Sequence, residues 1–344
     1  MKKLVIAAAL FALGGGTAFP CAPALHAGDE IAVVEESAVI VWDAATKTEH
    51  FIRRATFHGK KGHDFGFLVP TPTAPVLAEV DDAIFDRLEE RTRREIVYVR
   101  RRKLDVRPFL LAYGERMNTA GAVQQVDVLA SQKVAGYDAV VLSATDAGAL
   151  QKWLADHGYA ATPDLIEWLD AYVRRQWKIT AFKIDAAQPA ARTSAVKMSF
   201  TTDQPFFPYR EPASQRRLSS EKPESRALRL WVLGAERVIG RIGDGTAWPG
   251  ILRRSDPLPE ALRAEVGRIA KLSFPPSVRM TAFIDQSSIR PGTDDLFFDR
   301  AGVQGNYVEP PYVYERIDKI YVPLDLVLFG LIVVAVVWRL IRRA

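Results

Sequence analysis

The densest set of potential metal ligands surrounds one short turn: His50, His58, His63 and Asp64. His58 and His63 flank a Gly-Lys-Lys-Gly stretch, so a hairpin there would bring two imidazoles together, as a transition-metal site requires. No His-x-His or His-x-x-x-His pair reinforces them, and turn histidines ordinarily face solvent. A second set is Asp294 and Asp295, with Asp299 and the upstream Asp285. Their oxygens suit Ca²⁺, although the spacing is not that of an EF-hand loop, and aspartates beside Pro291-Gly292 are common turn chemistry. No cofactor is expected; Ca²⁺ is the one ion these carboxylates would suit.

Other chemistry is thinner. Gly240-Arg-Ile-Gly-Asp-Gly245 looks superficially like a phosphate-binding loop, but the Lys-Ser/Thr of a P-loop is missing and Trp248-Pro249 interrupts any following helix. A hairpin end explains it better. Arg91, Arg93, Arg94, Arg100, Arg101, Arg102 and Lys103 form the most basic stretch, partly offset by Glu89, Glu90 and Glu95. An anionic polymer or a lipid headgroup would suit it; a solvated helix end and edge strand is the ordinary reading. Gly-x-Ser-x-Gly is absent. Cys21 is the sole cysteine, which excludes an intramolecular disulfide.

The elements that hold these residues hang from the two ends of the chain. Residues 320–338 would rise roughly 28 Å as a helix, close to the ~30 Å hydrocarbon core of a bilayer. Eleven residues between Leu324 and Val337 are Leu, Ile, Val or Phe. Each favours insertion by about 0.3–0.6 kcal/mol, and Asp325 opposes it by at most ~3 kcal/mol. Insertion wins. Leu326, Phe329, Ile332, Val336 and Trp338 are the expected lipid anchors, and Arg339, Arg342 and Arg343 the cytoplasmic stop in a tail over 339–344. At the other end, Lys2-Lys3, the apolar run Leu4 to Leu13 and Gly16-Thr17-Ala18 read as a signal peptide over 1–18. Together they predict a single-pass protein of the cell membrane with a periplasmic or extracellular ectodomain. Lys2, Lys3 and the three tail arginines account for the whole net charge of +5. The neutral ectodomain left behind argues against a nucleic-acid partner.

Between the ends, the pattern predicts an α+β ectodomain: a β-meander and mixed strands packed with a few helices, plus the one transmembrane helix. Period-two alternation from Ser37 to Pro70 reads as three meander strands, stopped by Pro70, Pro72 and Pro75. Asp81 or Asp82 caps a helix through Arg94, and Thr145 or Asp146 caps another that ends at Gly158. Thr162-Pro163 opens a third, with Leu165, Trp168, Leu169 and Tyr172 facing the core. Strands are expected at 97–100, 104–113, 123–130, 137–143, 179–184 and 195–200. An N-terminal α+β lobe would then cover 19–201, a polar loop or linker 202–224, and a C-terminal mixed lobe 225–319. In that second lobe Leu228–Leu233 and Arg237–Ile242 suggest a hairpin, Pro259–Ala270 a helix and Val278–Ile284 a strand.

The stretch Asp64-Phe-Gly-Phe-Leu-Val-Pro-Thr-Pro-Thr-Ala-Pro75 resembles a secreted bacterial family catalogued as domain of unknown function 2330. The likeness continues through Val80 to Thr92, Tyr137 to Asp146, Ala149 to Tyr159 and Met198 to Arg210, covering roughly residues 29 to 215. The cysteines that family members often place early in the mature chain are reduced here to Cys21. The resemblance implies an envelope location and a shared fold; it implies no chemistry and no site residues. The favoured function is therefore an envelope protein whose ectodomain binds or scaffolds another envelope protein or an anionic polymer close to the membrane. The alternative is a membrane-tethered hydrolase acting on an envelope polymer. A deep cleft with converging Asp/Glu, or with a Ser and a His within ~3 Å of each other, would favour the alternative. A Ca²⁺-stabilised adhesion module is a third reading.

Overall fold

The computed structural model describes residues 22–24, 31–59, 65–107, 138–142, 147–184, 190–192, 194–221 and 226–343. The expected strand at 123–130 and the caps at Thr145 and Asp146 lie outside them. Two compact units result, one from residues 1–93 and 133–309, the other from 94–132 and 310–344.

The first unit is a layered α+β sandwich. Its largest sheet is built on a hairpin of β2 (Ile31–Asp43) and β3 (Thr48–Gly59). Asp43 folds the turn: its Oδ1 accepts from the Ala45 amide at 2.9 Å and its Oδ2 from Thr46 Oγ1 at 2.8 Å. On one flank β12 (Ala227–Gly234) runs parallel to β2, followed by β15 (Arg279–Asp285), β14 (Ile251–Pro257) and β17 (Tyr307–Val308). On the other flank lie β10 (Val196–Thr201) and β5 (Val76–Glu79), with β9 (Ala190–Arg192) pairing β3. Strands from both sides of the expected 202–224 linker thus share one sheet. The linker region itself forms β11 (Phe206–Phe207) and α4 (Ala213–Glu221).

Two smaller sheets cover one face of this sheet. The first holds β1 (Ala22–Ala24), β4 (Phe65–Thr71), β8 (Lys178–Ile184) and β7 (Asp138–Leu142); the second holds β11, β16 (Leu296–Arg300) and β13 (Val238–Ile242). Ile40, Phe51, Phe67, Phe182, Phe206, Phe207, Leu230 and Phe298 fill the space between. Helices α1 (Ala83–Thr92) and α5 (Glu260–Ala270) close the opposite face over Val39, Ile52, Trp231 and Met280. Helices α2 (Ala147–Asp156) and α3 (Pro163–Val173) close the outer face of the β4–β8 sheet. As the spacing predicts, Leu165, Trp168, Leu169 and Tyr172 are buried there, and Thr162 Oγ1 accepts from the Leu165 amide.

Two pairings differ from expectation for one reason. β4 is no third meander strand; it leaves β3 and pairs with β1 and β8. β12 and β13 are both strands but do not pair with each other, since β13 pairs with β16. In β4, Phe67 and Val69 face one core and Leu68 the other. In β12, Leu228 and Leu230 face one core and Trp231 and Leu233 the other. A strand apolar on both faces belongs in a sheet interior between two layers, not at the edge of a half-solvated hairpin.

The second unit is simple. β6 (Ile96–Arg107) and β18 (Tyr312–Pro323) form a two-stranded parallel ribbon, and α6 (Leu324–Ile341) follows β18 without a break. The helix therefore starts four residues later than the expected 320–338. Pro323 explains this, because the residue before a proline is held out of the helical region. The 18 residues of α6 rise about 27 Å. They have a mean hydropathy of 2.5 and no buried side chain.

Candidate functional site

The ribbon of the second unit is where exposed and chemically distinctive side chains concentrate. Tyr312 sits opposite Ile96 and Tyr314 opposite Tyr98, with the two tyrosine rings edge to face at 5.7 Å. Tyr98 is 73% exposed, and Ile96, Tyr312, Val313, Tyr314 and Ile317 are each about half exposed or more. The start of the ribbon is locked by the Tyr312 amide donating to the Glu95 carbonyl and by Arg94 Nε donating to the Pro310 carbonyl, both at 2.8 Å. Below the tyrosines, β6 carries Arg100, Arg101, Arg102 and Lys103, all exposed. Arg101 reaches Glu315 at 3.1 Å and Arg316 reaches Asp318 at 3.3 Å. Among the described residues each strand has a partner on one side only. An isolated pair of strands is marginal in water, and a parallel pair more so.

The metal candidates fall elsewhere. The backbone of His58 lies on β3, while its side chain and the whole of His63 lie outside the described residues. His50 projects from β3 and its Nδ1 lies 2.8 Å from Ser199 Oγ. Asp294 faces Arg175 at 3.6 Å. Asp295 is fully buried; Tyr172 Oη donates to its Oδ1 at 2.9 Å, and Arg175 stands 3.8 Å from its Oδ2. Burial raises its pKa from 3.8 to about 7, against the lowering effect of the Tyr172 bond. Asp285, in turn, accepts from Tyr209 Oη at 2.8 Å and lies 3.5 Å from Arg290. Among the described residues no three His, Cys, Asp or Glu converge as metal ligands.

The Gly240 loop holds no phosphate cradle. Gly240 pairs with Phe298 inside β13, and Trp248 packs so closely that a Cβ there would meet its ring at 2.4 Å. Gly245 takes φ +85° in the turn beyond.

The hydrolase alternative finds one suggestive pair, Ser199 and His50, and the surroundings disarm it. The two are cross-strand neighbours of β10 and β3. The ring meets the hydroxyl through Nδ1, and among the described residues no carboxylate hydrogen-bonds to it. Burial first, and then the charge of Lys197, lower the pKa of His50. Lys197 itself is occupied, donating from Nζ to the Ala270 carbonyl at the end of α5 (2.7 Å). A polar cleft of about 260 Å³ opens beside α1, lined among others by Glu35, Arg54, Asp86, Glu89 and Arg229. Its carboxylates serve arginines: Arg229 bonds Glu35 and reaches Glu89 at 3.2 Å, and Arg54 stands 3.8 Å from Asp86. The described residues hold no catalytic constellation.

A family model described as "Uncharacterized protein conserved in bacteria (DUF2330)" matches residues 17–252. The chain belongs to that family. No curated protein matches it. The match covers β1 to the start of β14, so the DUF2330 region takes in most of the sandwich and all of β6, while β18 and α6 lie beyond it. The protein is thus a bacterial single-pass membrane protein with an extracytoplasmic DUF2330 domain.

Sequence reasoning missed three features of this DUF2330 chain. The pairing of β6 with β18 joins segments with no local signal for one another. The buried Arg53–Glu36 ion pair, with the guanidinium 4.4 Å from the Phe67 ring centroid, sits at alternating positions that read as ordinary strand polarity. Glu49, whose carboxyl accepts from the Phe206 amide at 2.9 Å, is fully buried, and desolvation raises its pKa well above the usual range.

Proposed function

We propose that this protein is a membrane-tethered binding and scaffolding module, holding another envelope protein close to the bilayer. The observation that carries this reading is the ribbon. Its upper part presents Ile96, Tyr98, Tyr312 and Tyr314 to solvent, and the outer edge of each strand is unpaired among the described residues. Tyrosine gives large contact area at low entropic cost and is enriched where protein surfaces meet. Open strand edges offer main-chain hydrogen bonds to an added strand.

The test is capture of partners by tagged, full-length protein from solubilised membranes, comparing the native chain with a Tyr98→Ala/Tyr314→Ala variant. A co-purifying envelope protein should fall at least fivefold in the variant while the melting temperature stays unchanged. Equal recovery from both proteins, or no specific partner with either, would overturn the reading.

A further inference from the structure

The register of the ribbon brings together residues that the linear chain keeps apart. Arg107 lies opposite Pro323 and Lys103 opposite Lys319, and Leu324 begins the membrane helix. The C-terminal end of β6 is therefore held at the bilayer surface by its hydrogen bonds to β18. With it comes charge. Arg100, Arg101, Arg102, Lys103 and Arg107 on β6, with Arg316 and Lys319 on β18, stand against only Asp105, Glu315 and Asp318. Two of those acids are engaged within the ribbon, Glu315 by Arg101 and Asp318 by Arg316. The excess of four positive charges is local, because the ectodomain as a whole is neutral.

We propose that this basic ribbon binds the anionic phosphate headgroups of the leaflet through which α6 enters the bilayer. Guanidinium groups suit the task, since they grip phosphate oxygens in a bidentate fork. At ~3.3 Å per residue, Lys103 lies about 13 Å and Arg100 about 23 Å from the membrane end of β6. Headgroups extend roughly 5–7 Å beyond the hydrocarbon, and charge is screened over about 8 Å at physiological salt. An upright ribbon therefore keeps the Lys103 level within one screening length of the headgroups. Arg100 and Arg102 reach them when the ribbon leans, so anionic lipid favours the leaning state. Membrane topology does not account for this cluster. Cations on the translocated side run against the positive-inside bias, which is read along the chain near the span and not from a strand paired to it after folding.

The experiment uses full-length protein in nanodiscs of equimolar phosphatidylglycerol and phosphatidylcholine, with the retained lipids identified by native mass spectrometry. A cation at an anionic surface is worth roughly a fivefold preference, so the retained lipid should be enriched severalfold in phosphatidylglycerol. Arg100→Gln/Arg102→Gln/Lys103→Gln should lower the enrichment severalfold, to the share that the tail arginines hold in the opposite leaflet. Arg339→Gln/Arg342→Gln/Arg343→Gln, at the other end of the helix, should leave most of the enrichment. High salt should abolish it in the unmodified protein, a check that does not depend on how any variant folds. Enrichment left undiminished by either salt or the ribbon substitutions, or that only the tail substitutions lower, overturns the proposal. So does retention of soluble polyphosphate without phosphatidylglycerol enrichment, which would make the ribbon a polymer site.

Discussion

Asp295 shows how a residue suspected of binding a cation can hold a proton instead. Its carboxyl is sealed under α3, with Tyr172 as donor, and burial raises its pKa to about 7. Between the ordinary value of 3.8 and about 7 the folded state keeps a proton that the unfolded chain releases. Stability contributed by this group therefore falls as pH rises through that window. Asp295→Asn keeps an acceptor for Tyr172 and removes the titration. The variant should lose less stability than the native protein between pH 4 and pH 7, and at pH 8 should exceed it by on the order of 1–3 kcal/mol. Urea unfolding at pH 5 and pH 8 measures this, and parallel pH profiles would count against it. The sequence marked Asp294 and Asp295 as notable carboxylates but was silent on their surroundings. Depth is set by α3 and β16, whose contact no local pattern encodes.

At the scale of elements, local rules served wherever the interaction is local. Thr162-Pro163 reads as a helix start because a hydroxyl at the cap and a pre-set φ one residue later act within a single turn. Thr162 does accept from Leu165, at the start of a helix that buries Leu165, Trp168, Leu169 and Tyr172. Thr162→Ala should cost about 1 kcal/mol, read as a lower denaturation midpoint with unchanged m-value. Thr162→Ser should retain most of the stability. The same rules failed where partners are remote. β4 and the β12–β13 pair read as meander and hairpin because neighbouring strands usually pair, yet both β4 and β12 are apolar on two faces and were drawn into separate layers. The run Phe65 to Val69 carried the clue: alternation is lost when both faces are buried. Helix α6 moved four residues along because Val322-Pro323 favours extended chain, a local signal outweighed at first by the apolar run beyond it.

For the whole molecule, the membrane helix is the strongest commitment. The side chains of α6 are unburied from Leu324 to Ile341, and Arg342 stacks on Trp338 with its guanidinium 3.8 Å from the ring centroid. Such an aromatic–arginine pair suits a membrane–water interface. Two arginines at mid-helix cost roughly 5–7 kcal/mol, which cancels the whole insertion term. Ile332→Arg/Val333→Arg should therefore release the protein from membranes under a carbonate wash that leaves the native chain in the pellet. Retention of the variant would mean that another part of the chain holds it there. The amino-acid sequence by itself determined where the protein resides, its α+β character, most of its helices, the core face of α3, and the family. Each of these rests on hydrophobic runs, caps and periodicities that act within a few residues. Only the tertiary structure decided that the two expected lobes share a sheet, that Arg53 and Glu36 meet in the core, and that the basic strand β6 stands beside the chain's entry into the bilayer. Those are outcomes of long-range strand pairing, in which many partners compete for the same edge and the burial of whole layers selects among them.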